Sequence, residues 1–222
     1  MLLAPTLNIH RHPLAGRNFE CYSEDPFLVS RIGVAFVQGV QSAGIAATAK
    51  HFVCNDSEFE RMTISSDVGE RALREIYLAP FDAVVHEGGA WAAMTAYNRI
   101  NGRRLLEAIS AGEVPAGILD DKVRRLLRLA LRTGALDSPG PAPEQAVDRL
   151  EHRDLMRRTS IQSTVLLKND GNLLPLELEP DAIVALVGPH ADYLCMMGGG
   201  SSAVEPHHAT SLAAALRERL DA

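Results

Sequence analysis

The first hundred residues switch repeatedly between short apolar runs and longer segments whose apolar positions recur at helical spacing. Leu2 to Asn8 reads as a short buried strand, and a polar stretch follows from Arg11 to Asp25. Pro26 then opens a helix behind Asp25 as N-cap, because proline has no N–H to lose in a first turn and an Asp oxygen can accept a bond there. Phe27, Leu28, Ile32, Phe36, Val37 and Val40 mark its inward face, and Gly44 ends it. Ile45 to Phe52 is the next strand, and a polar loop runs from Asn55 to Ser66. A second helix covers about Glu70 to His86, with Leu73, Ile76, Tyr77, Phe81 and Val84 inward. Pro80 should kink or divide it, since its ring removes a helical donor. Gly88-Gly89 stop this helix, and Ala90 to Tyr97 makes a third strand.

Strand, helix, strand, helix, strand is the order of a parallel sheet covered by helices. Long polar loops follow each strand, and in barrels and doubly wound sheets that end carries the chemistry. After Asn101-Gly102 the order changes. Two helical segments follow without an intervening strand, about Leu105 to Ala111 and Leu119 to Thr133. The second is amphipathic through Val123, Leu126, Leu127 and Ala130, with Gly134 as its C-cap. Asp137-Ser138-Pro139-Gly140-Pro141-Ala142-Pro143 reads as a linker. Beyond it come a helix from about Gln145 to Ser163 and a turn at Asn169-Asp170-Gly171-Asn172. A buried strand from Ile183 to Val187, a flexible Gly198-Gly199-Gly200-Ser201-Ser202 loop and a helix from Thr210 to Leu220 complete the chain. The region before the linker supplies three strands. A closed (β/α)₈ barrel needs eight and falls on the order of 110 residues beyond what is present.

Composition narrows the function classes. The net charge of −6, with acids and bases interspersed, argues against nucleic acid, which requires a basic face. Arg124, Arg125, Arg128 and Arg132 cluster on a helix and read as a solvated face. No apolar run is long enough to span a membrane. The opening Met1-Leu2-Leu3-Ala4-Pro5 has no basic n-region, so it does not read as a signal peptide. Localisation stays open on this basis, with a slight lean to the cytoplasm. Cys21, Cys54 and Cys195 are widely spaced and odd in number, which does not describe a disulfide framework. His10 with His12 and His207 with His208 lack metal-ligand spacing, so no metal site is expected.

The loops after the three strands contain Arg17, Lys50, His51 and Tyr97. Arg and Lys donate several hydrogen bonds, His donates or accepts, and Tyr adds a hydroxyl beside an apolar ring face. Such donors at one rim suit a neutral polyol or an anion. The structural alternative is that Arg17 pairs with Glu20 or Glu24 and that Lys50 is merely exposed at a strand end. Asp56, Glu58 and Glu60 read as ion-pair partners or exposed charges.

Longer motifs add to this reading. Pro5-x-x-Asn8-Ile9-x-Arg11-x-Pro13-Leu14-x-Gly16-Arg17-Asn18-Phe19-Glu20, followed by Ser23-Glu24-Asp25-Pro26, resembles glycoside hydrolase family 3. So do Gly39-Val40-Gln41-x-x-Gly44-Ile45-Ala46-Ala47-Thr48-x-Lys50-His51-Phe52 and Met94-x-Ala96-Tyr97-Asn98-Arg99-Ile100-Asn101-Gly102. Val165-Leu166-Leu167-Lys168-Asn169-Asp170-Gly171-Asn172-Leu173-Leu174-Pro175-Leu176 resembles the family's entry to its second domain. The family's N-acetylglucosaminidases carry an Asp-x-His dyad after the second strand. Asn55-Asp56-Ser57-Glu58 has none, so the chain is similar to the β-glucosidases.

This resemblance implies a retaining exo-hydrolase acting on a small-molecule or oligosaccharide β-glucoside, with no cofactor. Arg17, Lys50 and His51 would bind sugar hydroxyls, Tyr97 would lie beside the nucleophile, and Asn55, Glu58 and Arg61 would brace the loop. The implied fold is an incomplete (β/α)₈ TIM-type barrel followed by the start of an α/β sandwich domain. Residues 1–136 would be the partial barrel, lacking its later strands after about residue 102, 137–147 the linker, and 148–222 the first part of the second domain. The family's nucleophile is an Asp in a Ser-Asp-Trp segment, which this sequence lacks. Glu205 does not match the acid/base position, so no catalytic carboxylate is assigned. Little activity is expected, together with self-association or disorder near residues 102–112, because an open barrel piece exposes sheet edges and apolar helix faces. A non-catalytic carbohydrate- or partner-binding remnant is the alternative. A nucleotide-binding protein rests only on Ile183 to Val187 followed by Gly188, without a phosphate-binding motif.

Overall fold

The computed structural model describes residues 1–138, 140, 143, 145–178, 182–194, 196 and 203–220. The elements are α1 (Pro26–Ser42), β1 (Thr48–Phe52), β2 (Ser65–Ser66), α2 (Glu70–Ala72), α3 (Ala79–His86), β3 (Ala92–Thr95), β4 (Arg99–Ile100), α4 (Leu105–Ser110), α5 (Ala116–Arg132), α6 (Leu150–Ser163) and α7 (Leu212–Leu220). Short 3₁₀ turns cover Asn18–Glu20 and Asp170–Asn172. The chain divides into two compact units, Met1–Pro141 and Ala142–Ala222.

In the first unit β1 pairs with β3 in parallel, as the strand–helix–strand order requires. The expected strand from Leu2 to Asn8 is not continuous. It lies along the other edge of β1 through two isolated parallel bridges, Leu2 with Ala47 and Thr6 with Lys50. Pro5, between them, has no N–H for the ladder and uses only its carbonyl, which accepts from Lys50 N at 3.0 Å. The other two expected strands are shorter, Thr48–Phe52 and Ala92–Thr95, and Trp91 stands just before β3. A second parallel pair, β2 with β4, joins the loops beyond these strands and was not anticipated from the sequence.

Asp25 caps α1 by accepting from Phe27 N at 2.8 Å, with Pro26 in the first turn. The buried face of α1 matches the expected one at Val37, with Val40 packed against the core, and differs from it nearer the start of the helix. Val29, Ser30, Gly33, Val34 and Val37 face inward, whereas Phe27 and Leu28 are exposed. Small residues won this face because α1 lies very close to the chain beneath it. A Cβ on Gly33 would sit 2.8 Å from Leu7 Cδ2 and 2.9 Å from Val84 Cγ1. The second helix is divided, as Pro80 suggested, into α2, a wide turn over Leu73–Tyr77, and α3. Tyr77, Phe81 and Val84 are buried, with Leu73 and Ile76 packed beside them. The apolar core is drawn from Leu7 to Val84 and comprises side chains of the amino-terminal segment, α1, β1, α3 and the turns between them.

The rest of the chain buries far less. The helix expected from about Leu105 to Ala111 is present as α4, and Arg103 pairs with Glu113 at 2.8 Å across it. The apolar side chains of α5 (Val123, Leu126, Leu127 and Leu131) are exposed, and Arg132 at its end stacks over Trp91. In the second unit α6 starts at Leu150 rather than near Gln145, and α7 at Leu212 rather than Thr210. The expected buried strand from Ile183 to Val187 is not formed, and the segment is exposed, with Ile183 97% accessible. A strand is buried by neighbours on its sheet, and no described residue of this unit supplies one. Cys195, the Gly198–Ser202 loop and part of the expected linker lie outside the described residues.

Two substitutions in α1 separate close packing from helix propensity. Gly33→Val should lower stability by about 2 kcal/mol through overpacking against Leu7 and Val84. Gly39→Ala, where nothing lies within 4 Å of the new methyl, should leave it unchanged or raise it by up to about 1 kcal/mol. Urea-unfolding midpoints measure both.

Candidate functional site

The predicted residues lie at the carboxyl ends of the parallel segments. Lys50 and His51 belong to β1, Arg17 follows the amino-terminal segment, and Tyr97 follows β3. Neighbouring residues of a regular strand point to opposite faces. Here the β1–β3 register slips between Ala49 and Phe52, so three steps on β1 match two on β3. The irregularity falls on Lys50 and His51, and it allows both side chains to reach the same group.

That group is the Arg17–Glu20 pair. Arg17 Nε donates to Glu20 Oε1 at 2.5 Å, and Lys50 Nζ lies 3.0 Å from Glu20 Oε2. Thr6 Oγ1 donates to the same Glu20 oxygen at 2.8 Å. The Lys50 side chain is only 15% exposed, so it is not a solvated strand-end charge. The pairing of Arg17 with Glu20 foreseen as the structural alternative is present, and it coexists with convergence of the predicted site residues.

Arg17 also approaches His51 Nε2 at 3.1 Å. A guanidinium can only donate, so Nε2 must accept and the ring proton must sit on Nδ1. Nδ1 then donates to Asn8 Oδ1 at 3.2 Å, and the same oxygen accepts from His51 N at 2.9 Å. Asn8 Nδ2 donates back to the His51 carbonyl at 3.2 Å. His51 is therefore fixed as the neutral tautomer with Nδ1 protonated. Burial lowers its basicity, and Arg17 and Lys50 lower it further, to about 4.

Glu58 extends the network outward. Its Oε1 accepts from Asn55 Nδ2 at 3.0 Å and lies 3.5 Å from Arg17, while its Oε2 accepts from Arg61 at 2.8 Å. Arg61 stacks over the Tyr97 ring at 5.3 Å from the centroid. Tyr97 is 55% exposed and reaches the others only through Arg61 and Glu58. The structure thus gathers Arg17, Lys50 and His51 tightly and leaves Tyr97 at the rim. Asn55, Glu58 and Arg61 do brace the loop.

The carboxylates at this site are poorly suited to donating a proton. Burial pushes the Glu20 carboxyl up, but hydrogen bonds from Arg17, Lys50 and Thr6 outweigh it and hold it at about 2. Glu58 is likewise held below its ordinary value, with burial opposed by Asn55, Arg17 and Arg61. Asp56 differs: burial raises it to about 6, against the Ile9 backbone N–H and the Arg11 charge. Its Oδ1 and that of Asn55 are buried without a hydrogen-bond partner. Burial also lifts the Cys21 and Cys54 thiols to about 12, which leaves neither as a nucleophile near neutral pH. Among the described residues no three His, Cys, Asp or Glu side chains cluster as metal ligands, and no helix is long and apolar enough to cross a membrane.

Sequence reasoning missed Thr6 and Asn8. Both are buried polar residues two apart, alternating with Pro5, Leu7 and Ile9. That period of two, with polar groups on one face of a buried segment, was the available signal.

Known proteins share this arrangement of segments. The N-terminal domain of glycosyl hydrolase family 3 matches residues 1–107, and the family's C-terminal domain matches residues 164–222. A β-glucosidase from Rhizobium radiobacter is 39% identical over 274 aligned positions, which cover 99% of this chain and 33% of the relative. The chain therefore spans about a third of that relative's length. The 274 aligned positions exceed the 222 residues of this chain, so the relative carries residues here that this chain skips. Among solved structures, β-glucosidase 3B from Thermotoga neapolitana in complex with glycerol superposes with a TM-score of 0.82 at 31% identity, covering 98% of this chain and 38% of that one. A β-glucosidase from Kluyveromyces marxianus in complex with glucose gives 0.83 at 31%, covering 99% and 34%.

The charges make stability depend on pH. Glu20 is lowered from 4.5 to about 2, so its contribution is present above 4.5 and is lost as pH falls toward 2. His51 is lowered from 6.5 to about 4, so stability falls as pH drops through that window. Asp56 is raised from 3.8 to about 6, so its contribution is full below 3.8 and is lost as pH rises through 6. Glu20→Gln should cost about 3 kcal/mol at pH 7, because it leaves partly buried cations without their carboxylate. It should also flatten the loss of stability below pH 4.5. Unfolding curves at pH 7 and pH 3.5 test both effects.

Proposed function

Because the chain belongs to glycosyl hydrolase family 3, we propose that it is the sugar-contacting part of a β-glucosidase-type retaining exo-hydrolase, with little or no turnover by itself. The observation that carries this reading is one partly buried network, in which Arg17 and Lys50 share the Glu20 carboxylate and Arg17 also donates to His51. The N–H groups that Arg17 and Lys50 do not spend on the network suit the hydroxyls of a terminal β-D-glucosyl residue, with His51 beside Arg17 and the Tyr97 ring at the rim. In this reading residues 1–136 are a portion of a TIM-type barrel, 137–147 are a linker, and 148–222 open an α/β sandwich domain.

Retaining hydrolysis needs one carboxylate to attack the anomeric carbon and a protonated carboxyl, about 5 Å away, to protonate the leaving oxygen. Glu20 cannot serve as the attacking group, because Arg17, Lys50 and Thr6 already occupy its oxygens. Neither Glu20 nor Glu58 is protonated near neutral pH, since both are held below their ordinary values. The sequence contains no Ser-Asp-Trp segment to supply the family's nucleophile. The aligned positions that this chain skips support a nucleophile lost with a stretch of the barrel. Such a chain binds sugar without cleaving it.

The exposed apolar side chains of α5 further support self-association of the isolated chain. Sedimentation velocity should show species that grow with concentration, and Leu126→Glu together with Leu131→Glu should reduce them. A concentration-independent monomer would remove this part of the reading.

Purified 222-residue chain should give no saturable hydrolysis of 4-nitrophenyl β-D-glucoside. It should give ligand-induced NMR shifts with glucose that Lys50→Ala abolishes. Saturable turnover that survives Glu58→Gln would overturn the proposal of an inactive sugar-binding chain.

A further inference from the structure

Resting on the sugar-site reading, we propose that Glu20 determines the charge class of the ligand, making the site select neutral polyols and refuse anionic sugars. The inner site contains two cations, Arg17 and Lys50, and two carboxylates, Glu20 and Glu58. His51 adds no charge, because its Nε2 must accept from Arg17. Arg61 stands further out, with its side chain 41% exposed and Glu58 beside it. The inner charges therefore balance.

This balance does not exhaust the donors. Arg17 spends Nε on Glu20 and one terminal nitrogen on His51 and Glu58. Among the described residues its other terminal nitrogen makes no hydrogen bond, and Lys50 Nζ has one carboxylate neighbour for three N–H groups. A hydroxyl oxygen can accept these remaining bonds without disturbing the ion pairs. A ligand carboxylate or phosphate would instead have to compete with Glu20, which holds the same cations at 2.5 and 3.0 Å and would repel it. Without Glu20, an Arg and a Lys side by side would form an ordinary anion site. The acid at position 20 is thus the residue that separates a polyol pocket from a phosphate or uronate pocket. Thr6 supports it by donating to the same oxygen that Lys50 approaches.

The test compares wild type with Glu20→Gln by NMR titration, following the His51 ring and Arg17 Nε. The probes are glucose, glucuronate, the neutral isostere glucuronamide, and inorganic phosphate. Wild type should bind glucose and glucuronamide and discriminate against glucuronate by at least about tenfold. Glu20→Gln should gain glucuronate and phosphate binding by a similar factor, and added salt should weaken the gain. The double variant Glu20→Gln, Lys50→Gln should lose that gain, which a purely structural role for Glu20 would not produce. If Glu20→Gln does not fold, the wild-type comparison of glucuronate with glucuronamide decides alone. Equal wild-type affinity for that pair overturns the inference and leaves the sugar reading intact. Wild type that is folded and binds none of the four probes removes the sugar reading, and the inference with it.

Discussion

A single carboxylate shared by two cations organises the chemically active end of this chain. Glu20 takes Arg17 on one oxygen and Lys50 and Thr6 on the other. Those three partners come from three separate pieces of chain: the amino-terminal segment, the loop behind it, and β1. An unpaired carboxylate or cation would be costly at this partly buried position, so each partner stabilises the placement of the others. The same constraint gives His51 its state. Arg17 is held by Glu20 where it can donate to the imidazole, and Asn8 takes the remaining ring proton. A neutral, oriented histidine is the result, rather than a third cation in a crowded site.

Close packing beneath the site keeps this network in register. Gly33 lets α1 approach Leu7 and Val84 within a distance that no side chain would permit. Leu7 lies between Thr6 and Asn8, so the packing that buries Leu7 also presents the two polar neighbours to Glu20 and His51. The apolar side of the segment makes the core, and its polar side makes the back wall of the site. The slip between β1 and β3 completes the arrangement by letting Lys50 reach Glu20 and His51 reach Arg17 within one ion pair.

Beyond this knot the chain is less self-sufficient. The core uses residues of the first unit up to Val84, while large apolar side chains of α5 and of the second unit remain exposed. This fits a chain that spans about a third of its relative from Rhizobium radiobacter and skips positions that the relative retains. A helix without a sheet against its apolar face keeps its local shape, because its hydrogen bonds are internal. Ile183 to Val187 does not become a strand, because a strand's backbone bonds require a neighbour. This contrast accounts for the pattern of successes and failures among the sequence-based expectations.

Local rules were enough for several features. Asp25-Pro26 marked the start of α1, Pro80 marked the division before α3, and the strand–helix order marked a parallel pairing. The ordered motifs also named the family and pointed to Arg17, Lys50 and His51 as neighbours. Each of these signals lives within a few residues or in the order of segments. What tertiary structure alone decided depends on partners distant in sequence. Gly33 displaced Phe27 and Leu28 from the inward face because of how near Leu7 and Val84 come. Glu20 became the hub because Lys50, thirty residues further along, is brought within 3.0 Å by a bulge that no local pattern announces. Tyr97 was left at the rim, held by Arg61, because contacts across loops rather than residue type set its distance from the cations.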